Sequence, residues 1–99
     1  MHAVVVDPSR VVLKLIAQLL AQRGDTASEF QDSDAALHKI KDDPTVDVLI
    51  TSLEVQPTTG LELCWEARLA MPASRPLYVI VMSSLSDQNK LAEALDRRR

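Results

Sequence analysis

A chain of 99 residues allows one domain with a single core and little stability to spare. Its 46% apolar and 25% charged residues make a globular composition, and a net charge of −3 excludes the clustered basic surface that sequence-independent nucleic-acid binding needs. One cysteine, Cys64, excludes an intrachain disulfide, and no basic leader or membrane-length apolar run is present, so a cytoplasmic protein with no membrane span is expected.

In chain order, Ala3 to Val6 is a short β-branched run of the kind that forms a strand buried on both faces. From Arg10 to Arg23 the pattern is helical. Val12, Leu15, Ile16 and Leu19 recur at the helical period, with Val11 and Leu20 widening the apolar face. Ser9 is placed as N-cap and Gly24 as the residue after the last turn. Thr26 to Phe30 alternates polar and apolar residues and reads as an edge strand. A weaker helix follows from about Asp34 to Lys41, burying Ala36, Leu37 and Ile40, until Asp42-Asp43-Pro44 stops it.

Asp47 to Thr51 is the third strand. A helix beginning near Gly60 puts Leu63, Ala67 and Ala70 on one face, broadened by Leu61, Cys64 and Trp65, and ends at Met71-Pro72. Cys64 reads as an inert packed thiol, Trp65 as partly buried with an exposed, partner-facing position as the alternative, and His38 as a solvent-facing helix residue. Leu77 to Met82 is the fourth strand and again reads as buried on both faces. Ser86 and Asp87 open a last helix that buries Leu91, Ala94 and Leu95. Arg97, Arg98 and Arg99 form a solvated basic end. Strands alternating with helices specify an α/β domain, a doubly wound parallel sheet with helices on both faces.

In such a sheet, ligands bind beyond the carboxyl ends of the strands. The residues there are Asp7-Pro8, Thr51-Ser52 and Ser83-Ser84. Gly24 and Gly60 are the only glycines, which excludes a glycine-rich phosphate loop, and no His or Cys pair has zinc spacing.

The segments VVVDPSRVVLKLI, DVLITSLEVQPTTGLEL and YVIVMSSLSD resemble, over almost the whole chain, the receiver domain of two-component response regulators. They correspond to its first strand, acidic pair and first helix; its third strand, phosphoacceptor loop and third helix; and its fourth strand with the hydroxyl residue that follows. Gly60 lies at the family's spacing from the phosphoacceptor position. The resemblance implies a flavodoxin-like sheet of order 2-1-3-4-5. It also implies an aspartate that takes a phosphoryl group from a phosphohistidine, two acids after the first strand that hold Mg²⁺, a Ser or Thr that reads the phosphoryl group, and a lysine after the fifth strand.

This sequence departs from that pattern. Ser52 stands at the phosphoacceptor position and Pro8 at the second acid. Asp7 is retained, as are Ser83 and the small Ser84 after it, while the lysine has no counterpart. A serine hydroxyl needs an adjacent base to become a nucleophile, and neither His2 nor His38 is placed to serve. Mg²⁺ favours carboxylate oxygens, so Asp7 alone is a weak ligand, and Glu54, two residues past Ser52, is the candidate for a second oxygen. Asp7 can equally cap the first helix together with Ser9.

The expected protein is therefore a degenerate, single-domain receiver over residues 1–99 with strand order 2-1-3-4, C-terminally truncated and without the fifth strand. It has no cofactor beyond weak Mg²⁺ and no enzymatic activity, and it acts by contact with a sensor kinase or output domain. Its partner face runs through Leu85, Asp87, Lys90 and Leu91, and it is expected to form homo-oligomers along the uncharged fourth-strand edge. The competing reading is a receiver phosphorylated on Ser52 or Glu54, the regulatory part of a larger protein. A third, an unrelated small α/β enzyme, lacks a base, an electrophile and a cofactor loop.

Overall fold

A computed structural model describes residues 1–82. The elements follow in the order β1 (His2–Val6), α1 (Arg10–Gln22), β2 (Thr26–Phe30), α2 (Ser33–Asp42), β3 (Val48–Ser52), α3 (Gly60–Ala70) and β4 (Tyr78–Met82). The strands form one parallel sheet of order β2-β1-β3-β4, as expected. The last helix expected from the sequence, with Ser83, Ser84, Leu85, Asp87, Lys90 and Leu91, lies outside the described residues.

The helix boundaries follow from their caps. Ser9 accepts a hydrogen bond from the Val12 amide at 3.3 Å and starts α1; the chain leaves at Gly24, whose φ of +81° suits glycine in the left-handed region. Asp32 caps α2 through the Ala35 amide at 2.7 Å. Thr59 caps α3 through the Glu62 amide at 3.2 Å, while the Thr59 hydroxyl donates to the Glu62 carboxylate at 3.1 Å.

Strand alternation divides the core in two. Val4, Val6 and Leu49 face α2 and α3, packing with Ala36, Ile40, Leu63, Cys64 and Ala67. Ala3, Val5, Val48 and Ile50 face α1 and pack with Leu13 and Leu20. β1, paired on both sides and buried from Ala3 to Val6, is the centre of both halves.

The rotation of α1 differs from the expected one. Leu13 and Leu20 are its buried residues, with Ile16 packed beside them, whereas Val11, Leu15 and Leu19 are exposed. Apolar residues occupy more than one side of this helix, so periodicity alone left its orientation open. Two polar contacts with the β2 side accompany the observed one. Arg10 Nε donates to the Gln31 side-chain oxygen at 3.2 Å, and Lys14 pairs with Glu29 at 3.2 Å. On α3, Leu63, Cys64 and Ala67 are buried as expected, but Leu61, Trp65 and Ala70 are exposed. Leu61 and Trp65 lie outside the arc of the helical wheel that reaches the sheet, whereas Ala70 shares the side of Leu63 and is exposed as the last residue of the helix.

β4 is also less buried than its apolar run implied. Tyr78 is 65% exposed and Ile80 54% exposed. Both lie on the α1 side of the sheet, opposite Val48 and Ile50 in register. Among the described residues β4 pairs only with β3, and α1 packs over β1 and β2 rather than reaching it.

The rotation of α1 is testable by urea unfolding. Leu20→Ala is expected to cost about 2–4 kcal/mol, because a buried side chain leaves a cavity. Leu19→Ala is expected to stay within about 0.5 kcal/mol of the parent.

Candidate functional site

The parallel register brings the carboxyl ends of β1, β3 and β4 together. Val6 pairs with Thr51, which places Asp7 beside Ser52, and Ser52 in turn pairs with Met82. Three of the residues singled out in the sequence thus share one edge of the sheet: Asp7, Pro8 and Ser52.

Each has a local structural engagement. Asp7 is half-buried; its Oδ1 accepts the Ser9 amide at 2.8 Å, so this carboxylate shapes the turn into α1, and its own amide donates to the Phe30 carbonyl at 3.1 Å. Pro8 offers only a carbonyl, which accepts the Gln31 side-chain amide at 3.0 Å. The Ser52 hydroxyl accepts the Glu54 amide at 3.3 Å. That bond closes the start of the β3–α3 loop and offers the oxygen no base. Glu54 is exposed.

A hollow of about 480 Å³ lies at this end of the sheet, lined by Pro8, Gln31, Asp32, Glu54 and Gln56. Asp7 and Ser52 are not among its walls. Asp32 is engaged as the α2 cap. Among the described residues, no group of three His, Cys, Asp or Glu side chains is placed to hold a metal ion.

The β3–α3 loop is held at several points. Leu53 donates its amide to the Met82 carbonyl at 3.2 Å, and Gly60 donates to the Leu53 carbonyl at 2.9 Å. A Cβ at Gly60 would fall well inside contact distance of the Ser52 carbonyl oxygen, so this close approach requires glycine. Ser33, fully buried at the start of α2, was not singled out in the sequence. Its hydroxyl meets the Thr58 amide and hydroxyl, each at 2.9 Å, and its amide donates to the Gln56 carbonyl at 2.8 Å. The sequence placed this helix from about Asp34, and the reach of Ser33 to a loop 25 residues on was not legible.

Perturbed titrations lie elsewhere. Hydrogen bonds from Thr45, then Lys39, hold Asp43 well below the usual carboxylate range. A hydrogen bond from the N-terminal ammonium lowers Asp25, and Asp25 in turn raises that ammonium group. Asp43, Asp25 and the N-terminus all precede strands, at the amino end of the sheet, opposite Ser52. His2 sits there too, its ring 2.9 Å from the Thr45 hydroxyl and 2.8 Å from that of Ser28. Burial raises the Cys64 thiol, which keeps it protonated and inert.

The family model of the response regulator receiver domain matches residues 3–98. Among curated proteins there is no match. Several solved structures share the fold. A CheY-like receiver domain from Methylobacillus flagellatus aligns with a TM-score of 0.77 at 22% identity, over 88% of this chain and 72% of that one. A response regulator receiver protein from Pseudomonas putida aligns with a TM-score of 0.75 at 25% identity, over 96% and 77%. The receiver domain of the hybrid histidine kinase CckA aligns with a TM-score of 0.71 at 24% identity, over 98% and 97%.

Gly60→Ala tests the loop geometry. It is expected to lower unfolding stability by about 3 kcal/mol, measured by urea titration, because the backbone on both sides of the contact must move.

Proposed function

The chain belongs to the response regulator receiver domain family, a signalling module of two-component systems, and from that premise we propose that it works by contact without accepting a phosphoryl group. The observation that carries this reading is Ser52 at the end of β3, its hydroxyl taken up by the Glu54 amide and with no base beside it. Pro8 adds to it, because a proline side chain has no oxygen for Mg²⁺, and Asp7 spends one carboxylate oxygen on the Ser9 amide. The receiver backbone is retained around a strand end with few groups for phosphoryl chemistry.

In this reading the domain is a cytoplasmic binding module rather than an enzyme. Its partner is a sensor kinase or an output domain, and the partner face includes Leu85, Asp87, Lys90 and Leu91. Incubation with a small acyl phosphate and Mg²⁺, followed by intact-mass measurement, is expected to show no phosphate gain. Stoichiometric addition of one phosphate overturns the proposal and favours a phosphorylated receiver. Restoring both acids in a Pro8→Asp/Ser52→Asp variant is expected to bring back at least partial phosphorylation, because a carboxylate is already an anionic nucleophile.

Self-association along β4 belongs to the same reading. Tyr78-Val79-Ile80-Val81-Met82 carries no charge, proline or glycine and pairs only with β3 among the described residues, and a strand open on one side is a template for pairing with another. Light scattering at micromolar concentration is expected to show a dimer or larger species. Ile80→Lys, a change at an exposed position, is expected to shift the population to monomer. A monodisperse monomer of the parent chain counts decisively against this assembly.

A further inference from the structure

The outer face of α3 carries a stripe that packs against no other element among the described residues. Leu61, Trp65 and Leu69 lie four residues apart and therefore on one side of the helix, opposite the buried Leu63, Cys64 and Ala67. They are 62%, 69% and 70% exposed. A tryptophan this exposed leaves a large apolar surface in water, and tryptophan is among the residues most enriched at binding hot spots.

The flank of the stripe is charged. Glu62 and Glu66, each one residue beyond a stripe member, form an exposed acidic ridge along one side of it, and the exposed Arg68 lies on the other side. Leu61, Glu62, Trp65 and Glu66 together line a hollow of about 330 Å³. One wall is apolar and the other carries two carboxylates. That combination suits a lysine or arginine side chain, whose alkyl stem lies along the indole while its cationic head reaches the carboxylates. A second copy fits less well. Two α3 helices packed antiparallel across a two-fold axis set their Glu62–Glu66 ridges against each other, and a parallel pair aligns the two helix dipoles and offers each two-carboxylate ridge only one cation, Arg68.

We propose that the outer face of α3 is a docking surface for a basic amphipathic helix of another protein, with Trp65 as its anchor and Glu62 and Glu66 as its charge-matching rim. The inference rests on the contact reading above and names a surface and a partner chemistry for it. It does not depend on whether Ser52 is phosphorylated, which the intact-mass measurement decides separately.

Trp65 is the only tryptophan, so its emission reports directly on this face. The probe is a synthetic 18-residue helix of leucine and lysine with one apolar face, compared with its leucine–glutamate counterpart and with a scrambled leucine–lysine sequence. With the full chain, the amphipathic basic peptide is expected to give a saturable blue shift of Trp65 emission that weakens as salt rises. The acidic and scrambled peptides are expected to give little shift. Glu62→Gln/Glu66→Gln, which leaves the Thr59 cap a partner, is expected to weaken binding several-fold while circular dichroism stays unchanged. Trp65→Ala, followed by anisotropy of a labelled peptide, is expected to weaken binding by about tenfold or more.

The proposal is overturned by any of four results. Trp65 emission is already blue-shifted in the free chain, which places another segment of the chain on the stripe. The shift appears with protein concentration alone, which makes the occupant a second copy. The scrambled peptide binds as well as the amphipathic one. The Glu and Trp variants bind the basic peptide like the parent.

Discussion

β1 is paired on both sides and buried on both faces, and this two-sided burial governs the rest of the molecule. Val4, Val5 and Val6 are fully buried, and each contributes about 1.5–3 kcal/mol when removed from water. A parallel sheet centred on such a strand is stable only with helices over both faces. α1 supplies one cover and α2 with α3 the other. Over β1 side chains and helices fill both faces, so the crevice for chemistry lies where β1 and β3 end.

At that edge the backbone and the side chains tell different stories. The β3–α3 loop is braced by Leu53 to Met82, by Gly60 to Leu53, and by the buried Ser33 to Thr58. Gly60 accepts the close approach of the Ser52 carbonyl that any other residue would block. These contacts build a defined loop whatever stands at position 52. The reactive groups are a separate matter: Asp7 shapes a turn, Pro8 presents a carbonyl, and Ser52 serves the loop. Scaffold and chemistry are physically separable here, since the contacts that hold the loop do not pass through the Ser52 hydroxyl except for its bond to Glu54.

The same covering arrangement leaves apolar residues outside. A helix touches the sheet along one arc, and the strongly apolar α1 has more leucine and valine than that arc can bury. Val11, Leu15 and Leu19 remain exposed, as do Leu61, Trp65 and Leu69 on α3 and Tyr78 and Ile80 on β4. Isolated exposed apolar residues are ordinary. Stripes at four-residue spacing are less so, and the charges beside them distinguish one from another. The Arg10 and Lys14 flank of α1 is occupied with β2, whereas the Glu62–Glu66 ridge of α3 faces outward.

The sequence by itself determined the local structure. β-Branched runs bounded by turn residues marked the strands, Ser9, Gly24 and Pro44 punctuated the helices, and the alternation of elements implied a parallel sheet. It also placed Asp7, Pro8 and Ser52 at strand ends, because only the order of residues along each strand matters for that. What the tertiary structure alone decided was which of several apolar arcs faces inward, and which distant residues meet. Leu13 rather than Leu15 is buried because it is the side chain that packs with Val5, Val48 and Ile50 of strands distant in sequence, and the contacts of Arg10 and Lys14 beside β2 accompany that seating. Ser33 braces the Thr58 loop for the same reason. Periodicity reports that a helix has an apolar side, but the packing of the neighbouring elements selects which side is used and what the other side is left to bind.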